Sequence, residues 1–353
     1  MKKTTYKSKI LLKDKVIDGF LSVEDGKISY VGENAPEEDY TELKDRIIAP
    51  GFIDIHCHTS QKNFAAADPE EVAAFHLSHG TTTLLLTYYR DIPHEQLLDC
   101  LYNTKKAMAT SKNLYGAHLE GPYLNANLGF GEGTNDSPDL DKCDAYINTG
   151  VVRQWTSAPE IDGVPALIKR IADAGIVPAI GHSCAGYADV KAAYDNGARI
   201  ATHLFDATRP PVSAYGGTLE VDFNEACMLM DDMFCEVICD EGWIHVRKEK
   251  LELLVKTVGI DRIVAITDMY AIGSPDDGKD VNLINGSLCG TKLTMQRVAV
   301  NLFNGGYSLP DVFKMTSLNP ARALGLSDRG EIAVGKKADL ILINDQAKFV
   351  ELL

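Results

Sequence analysis

Between residues 50 and 267, short apolar runs alternate with helix-patterned segments about eight times, and this rhythm restricts the fold more than any other feature of the chain. The runs occupy 50–55, 81–86, 114–119, 151–156, 176–180, 198–202, 235–239 and 262–267. Each is short enough for a buried parallel strand. The segments between them, such as 68–79 and 187–196, carry helix formers with apolar residues at helical spacing. Eight β–α repeats in about this length describe a (β/α)₈ TIM-like barrel. The stretch 138–150 reads equally as helix or loop.

The two ends of the chain have a different texture. Runs 9–12, 16–23 and 27–32 are β-rich and separated by turn signals such as Glu24-Asp25-Gly26, and the tail repeats the pattern at 330–335 and 338–344. The expected organisation is therefore a small β-sandwich domain formed by both termini, 1–49 plus 328–353, flanking a barrel at 50–327.

In a barrel of this kind the chemistry sits at the C-terminal ends of the strands. The first run ends at His56-Cys57-His58, the third at Glu120, the fifth at His182, the sixth at His203 and the eighth at Asp268. A single strand-end histidine is ordinarily a hydrogen-bonded structural residue. Three imidazole-bearing strand ends and two carboxylates on one rim make a metal site the better reading. Imidazole nitrogen and carboxylate oxygen suit a divalent ion, Zn²⁺ by default and Fe²⁺ by the same ligands. His56 and His58 are two apart on an extended strand, so both side chains point the same way. Glu120 can bridge two ions, with His182 and His203 holding the second. His118 reads as core or supporting, and Glu160 as structural or functional in equal measure.

Composition narrows the partners. With 50 acidic against 35 basic residues, the formal net charge is −15, which disfavours nucleic acid and anionic membrane. No apolar run approaches a membrane span or a signal peptide. The eight cysteines show no paired framework and read as reduced core thiols, hence a cytoplasmic protein with a small-molecule substrate.

The motif order carries a family resemblance. Pro50-Gly-Phe-Ile-Asp-Ile-His56-Cys-His58 resembles the opening metal motif of the amidohydrolase superfamily. His118-Leu-Glu120-Gly-Pro, Ser157-Ala-Pro-Glu160, Gly181-His182-Ser, Thr202-His203-Leu-Phe and Ile266-Thr-Asp268 are more specific. Together with Gly286-Ser-Leu-Cys-Gly-Thr291, Asn319-Pro-Ala and Gly335-Lys-Lys-Ala-Asp-Leu340 they resemble the N-acetylglucosamine-6-phosphate deacetylase branch over nearly the whole chain.

The resemblance implies metal ligands at Glu120, His182 and His203, with His56 and His58 admitting a second ion. It also implies a catalytic carboxylate at Asp268, a substrate-binding histidine at His245 and a homodimer. The implied reaction releases acetate from an N-acetyl amino sugar phosphate. The chain departs from the branch where phosphate is held. Asn125-Ala-Asn-Leu-Gly-Phe-Gly-Glu-Gly-Thr lacks the branch's histidine, and Asp206-Ala207 stands where the branch has Asn-Ala. The branch's arginine reads as Ala or Tyr, and Arg209 on the same loop reads equally as its substitute or as a surface salt-bridge residue. The alternatives are a related amidohydrolase acting on a non-phosphorylated or different N-acyl substrate, and a non-catalytic binding protein that kept the barrel.

Overall fold

The structure is a computed structural model that describes residues 3–37, 39–129, 135–272 and 278–353. The chain opens with β1 (Lys3–Leu11), β2 (Val16–Glu24), β3 (Lys27–Gly32) and β4 (Thr41–Pro50). Eight strands follow: β5 (Phe52–Asp54), β6 (Thr81–Tyr89), β7 (Leu114–Glu120), β8 (Val152–Ser157), β9 (Val177–Ile180), β10 (Ile200–Ala201), β11 (Phe234–Ile238) and β12 (Ile263–Ile266). A hairpin of β13 (Val281–Ile284) and β14 (Ser287–Thr291) precedes the last pair, β15 (Leu340–Ile343) and β16 (Phe349–Leu352).

Strands β5 to β12 form one parallel sheet in sequential order, each of the eight central runs supplying one strand. Their near-continuous apolar character follows from burial on both faces: all four residues of β12 and Leu84, Leu85 and Leu86 of β6 are inaccessible. The seam between the first and last of these strands closes just past their ends. There Asp268 N donates to His56 O at 2.9 Å and His58 N donates to Met269 O at 3.0 Å. Below them Thr267 Oγ1 donates to the buried Asp54 carboxyl at 2.6 Å.

Helices cover the outside. In the helix Val164–Asp173, the buried residues Val164, Leu167, Ile168 and Ile171 make a single stripe facing the strands. Asp68 and Asp222 cap the helices Pro69–Leu77 and Phe223–Met228, their carboxylates accepting from Glu71 N and Glu225 N. The ambiguous stretch contains a helix, Leu140–Asn148, capped by Asp139.

Strands from both chain ends join in a second, mixed sheet of order β16-β15-β4-β1-β2-β3. Its core is Ile10, Leu21, Ile28, Ile48, Ile332, Leu340 and Leu342. One expected strand is absent. Residues 330–335 are irregular and end in a turn, bounded by Gly330 and Gly335 in left-handed backbone at φ 87° and 88°, which breaks the extension. Among the described residues no helix is long and apolar enough to cross a membrane.

Candidate metal centre

Each strand end delivers its side chain over the mouth of the barrel. His182, His203 and Asp268 take positive φ of 49°, 28° and 44°, a costly conformation for non-glycine residues that turns the chain immediately after its strand. The result is two clusters sharing one carboxylate. On one side Glu120 Oε2 lies 3.4 Å from His56 Nε2 and 3.2 Å from His58 Nε2. Asp268 Oδ1 faces the same two nitrogens at 3.3 and 3.2 Å. On the other side Glu120 Oε1 lies 2.8 Å from His182 Nε2 and 2.9 Å from His203 Nε2, and those two nitrogens are 2.9 Å apart. All six residues are buried.

Hydrogen bonding alone does not account for this arrangement. A ring nitrogen carries at most one proton, so among His182 Nε2, His203 Nε2 and Glu120 Oε1 two contacts can be hydrogen bonds and the third cannot. His56 Nε2, although enclosed, has no hydrogen-bond partner among the described residues. Four ligands around an ion at about 2.1 Å stand about 3.4 Å apart, near the spacings in the first cluster. Both groups, His56/His58/Glu120 and Glu120/His182/His203, therefore fit a divalent cation.

The supporting shell explains the orientation of the rings. Glu236, at the centre of β11 and fully buried, sets Oε2 3.2 Å from His56 Nδ1 while its Oε1 accepts from Gln154 Nε2 at 2.7 Å. A carboxylate there keeps the proton on Nδ1 and leaves Nε2 for a metal. The sequence reading passed over Glu236, counting its run simply as apolar. A lone acid inside a buried strand was the available signal. Glu160 accepts from Ser183 Oγ at 2.6 Å, Cys184 N at 2.9 Å and Asn125 Nδ2 at 2.9 Å, and so pins the turn that carries His182. His118 is held between Thr87 and Thr156 and its pKa is pushed down by burial, a neutral core role.

Charge in the cluster follows from these contacts. Burial favours protonation of Asp268, but the neighbouring His56 and the hydrogen bond from His58 outweigh it and hold the carboxyl below the usual range. Asp268 thus faces the cavity as a carboxylate.

That cavity, of about 620 Å³, opens directly above the cluster. His58, Glu120, His182, His203 and Asp268 form its floor, and Asp206 and Ala207 lie on its wall. His245 is buried and does not line the cavity; its Nδ1 lies 3.0 Å from Asp240 Oδ2 and its Nε2 has no hydrogen-bond partner among the described residues. Arg209 is exposed and does not line the cavity. Gly129 reaches over the floor at φ 78°, and a Cβ there would meet His182 Nδ1 at 2.5 Å. The five residues after Gly129, part of the segment where the sequence lacks the expected histidine, lie outside the described residues.

Comparison with known proteins places this geometry in context. The chain is 29% identical to the N-acetylglucosamine-6-phosphate deacetylase of Bacillus subtilis (strain 168), over 97% of this chain and 93% of that protein. It is 27% identical to the one from Lysinibacillus sphaericus, over 92% and 88%. Among solved structures, the N-acetyl-D-glucosamine-6-phosphate deacetylase of Mycobacterium smegmatis superposes with a TM-score of 0.88 at 29% identity, covering 99% of this chain and 98% of that one. A mutant of that protein in complex with N-acetyl-D-glucosamine-6-phosphate gives a TM-score of 0.87 at 27% identity, covering 99% and 97%. The model of the amidohydrolase family matches residues 47–353, which include every residue of the two clusters, and the chain belongs to that family.

Proposed function

We propose that the chain is a metal-dependent deacetylase that hydrolyses the amide of an N-acetyl amino sugar. The observation that carries this reading is Glu120 shared between two histidine pairs, with the Asp268 carboxylate facing the same open cavity. Glu120, His182 and His203 would hold one divalent ion, and His56, His58 and Glu120 with Asp268 alongside would hold another. When bound, such an ion lowers the pKa of water to about 7 and polarises a carbonyl oxygen. Zn²⁺ and Fe²⁺ both suit this nitrogen and oxygen donor set.

The remaining chemistry falls to the chain. Asp268 Oδ1 takes the proton from the attacking water and returns it to the amide nitrogen, so that a neutral amine departs. His245 Nε2 is the free donor or acceptor for a sugar hydroxyl, held in place by Asp240. Ala207 and Asp206 border the sugar. The relatives' activity supports an amino sugar as the leaving group. All eight cysteines are free thiols, which suits a reducing compartment.

The test is amine release from N-acetylglucosamine and its 6-phosphate by metal-loaded protein and by Asp268→Asn. Wild type should turn over at least one of them, and the variant should keep the ion at Glu120, His182 and His203 while losing roughly 10²–10⁴-fold in rate. Near-normal turnover by Asp268→Asn would remove the assigned role.

A further inference from the structure

The walls above the metal cluster carry a charge pattern of their own. Phe64, Tyr89, Ile92, Tyr270 and Leu288 make most of the lining apolar, and two carboxylates, Asp91 and Asp206, supply the charge. Asp91 follows β6 and is exposed at the rim, whereas Asp206 follows β10 and is half-buried. In the order of the sheet these strands stand four places apart, so the two acids flank the cavity from opposite sides. Among the described residues neither forms an ion pair, and no lysine or arginine lines the cavity. Arg209 does not line it, and the Lys250 ammonium sits 5.2 Å from the Phe205 ring without lining it either.

A thiol inside the cavity lies near these carboxylates and those of the floor. Cys289 lines the wall, and its pKa is pushed up to about 12, first by burial and then by Asp268, Glu120, Asp91 and Asp206. The cavity is a ligand site on independent grounds as well. His182 on its floor is 5% exposed, and its Nδ1 has no hydrogen-bond partner among the described residues. A cation-binding floor would neutralise Glu120 and Asp268 and draw the acyl carbonyl downward. Asp91 and Asp206, on the walls, would face the part of the substrate that points up and out.

We propose that the cavity selects N-acyl substrates whose non-acyl part is uncharged or cationic, with Asp91 and Asp206 as the specificity-determining residues that turn phosphorylated compounds away. This rests on the deacetylase reading for the identity of the scissile bond, but not for the sign of the field. A phosphate dianion between two carboxylates in a partly desolvated cavity loses at least ~10-fold in kcat/KM at low salt. A neutral or cationic group there loses nothing.

The experiment compares kcat/KM for N-acetylglucosamine and its 6-phosphate on metal-loaded full-length protein at low and high ionic strength. The same pair is then run on the double variant Asp91→Asn, Asp206→Asn. The expected result is a preference of at least ~10-fold for the unphosphorylated sugar, narrowed by salt and narrowed again in the variant. Preference for the 6-phosphate overturns the inference and leaves the deacetylase reading standing. Hydrolysis of neither sugar by metal-loaded protein counts against the amino-sugar reading, and the field is then read at Cys289. There a cationic methanethiosulfonate should label faster than an anionic one of similar size, after correction for their rates with free cysteine. Faster anionic labelling, or labelling by neither reagent, overturns the inference.

Discussion

Replacing Glu236 with glutamine tests whether the ring nitrogens above the barrel are arranged for a metal. The carboxylate serves two donors, Gln154 Nε2 at 2.7 Å and His56 Nδ1 at 3.2 Å, in a place with no access to water. An amide of the same shape has only one oxygen to offer. If that oxygen faces Gln154, its NH₂ faces His56 Nδ1, which must then accept, moving the ring proton to Nε2 and blocking the atom that faces Glu120 and Asp268. If the oxygen faces His56 instead, two amide groups meet donor to donor. The first arrangement takes His56 Nε2 away from a metal and the second leaves one buried hydrogen bond unmade, at about 1–3 kcal/mol, or roughly 5–150-fold in affinity. The loss should fall on the His56/His58 side. Glu236 approaches the other side only through a long contact, His203 N to Oε2 at 3.4 Å. Competition with a chromophoric chelator, together with elemental analysis, would show one class of site weakened and the Glu120/His182/His203 class nearly unchanged. Equal affinities in wild type and Glu236→Gln, with the fold intact, would refute the assignment of His56 as a ligand oriented through its Nδ1.

Other outcomes follow from the same geometry. His203→Ala should lower the bound metal measured by elemental analysis, since two atoms of its triangle remain; an unchanged metal count would strike it from the ligand set. Gly129→Ala must place a Cβ 2.5 Å from His182 Nδ1 in left-handed backbone, so it should weaken metal retention under chelator challenge, and full retention would show that the loop yields freely. His76 is pushed down to about 4 by burial. Above about pH 6.5 it is neutral folded or unfolded; below that the unfolded chain takes a proton that the folded chain refuses, so stability falls by about 1.4 kcal/mol per pH unit until about pH 4. Urea unfolding of chelator-treated protein should show this slope reduced in His76→Gln, and identical slopes would contradict the burial of a neutral ring.

The sequence by itself determined the barrel and most of the cluster. Eight apolar runs at regular intervals leave one architecture that buries them all, and a period-two spacing fixes His56 and His58 on the same side of their strand. Strand ends converge at one mouth in that architecture, so Glu120, His182, His203 and Asp268 are legible as neighbours from the sequence alone. The helix Leu140–Asn148 was not, because a weakly periodic stretch is decided by the partners it packs on. Residues 330–335 misled in the opposite direction: Ile332 serves a core, but Val334 is exposed and the left-handed glycines at 330 and 335 break the extended backbone between them.

Only the tertiary structure decided which oxygen of Glu120 meets which histidine, and that Glu236 governs His56. Those residues are 180 positions apart in the chain, and no local pattern encodes a contact across a barrel interior. It also decided that Asp91 and Asp206 face one cavity while Arg209 does not. A side chain's charge is written in the sequence, but the direction in which a loop presents it depends on the backbone turns that the packed strands impose.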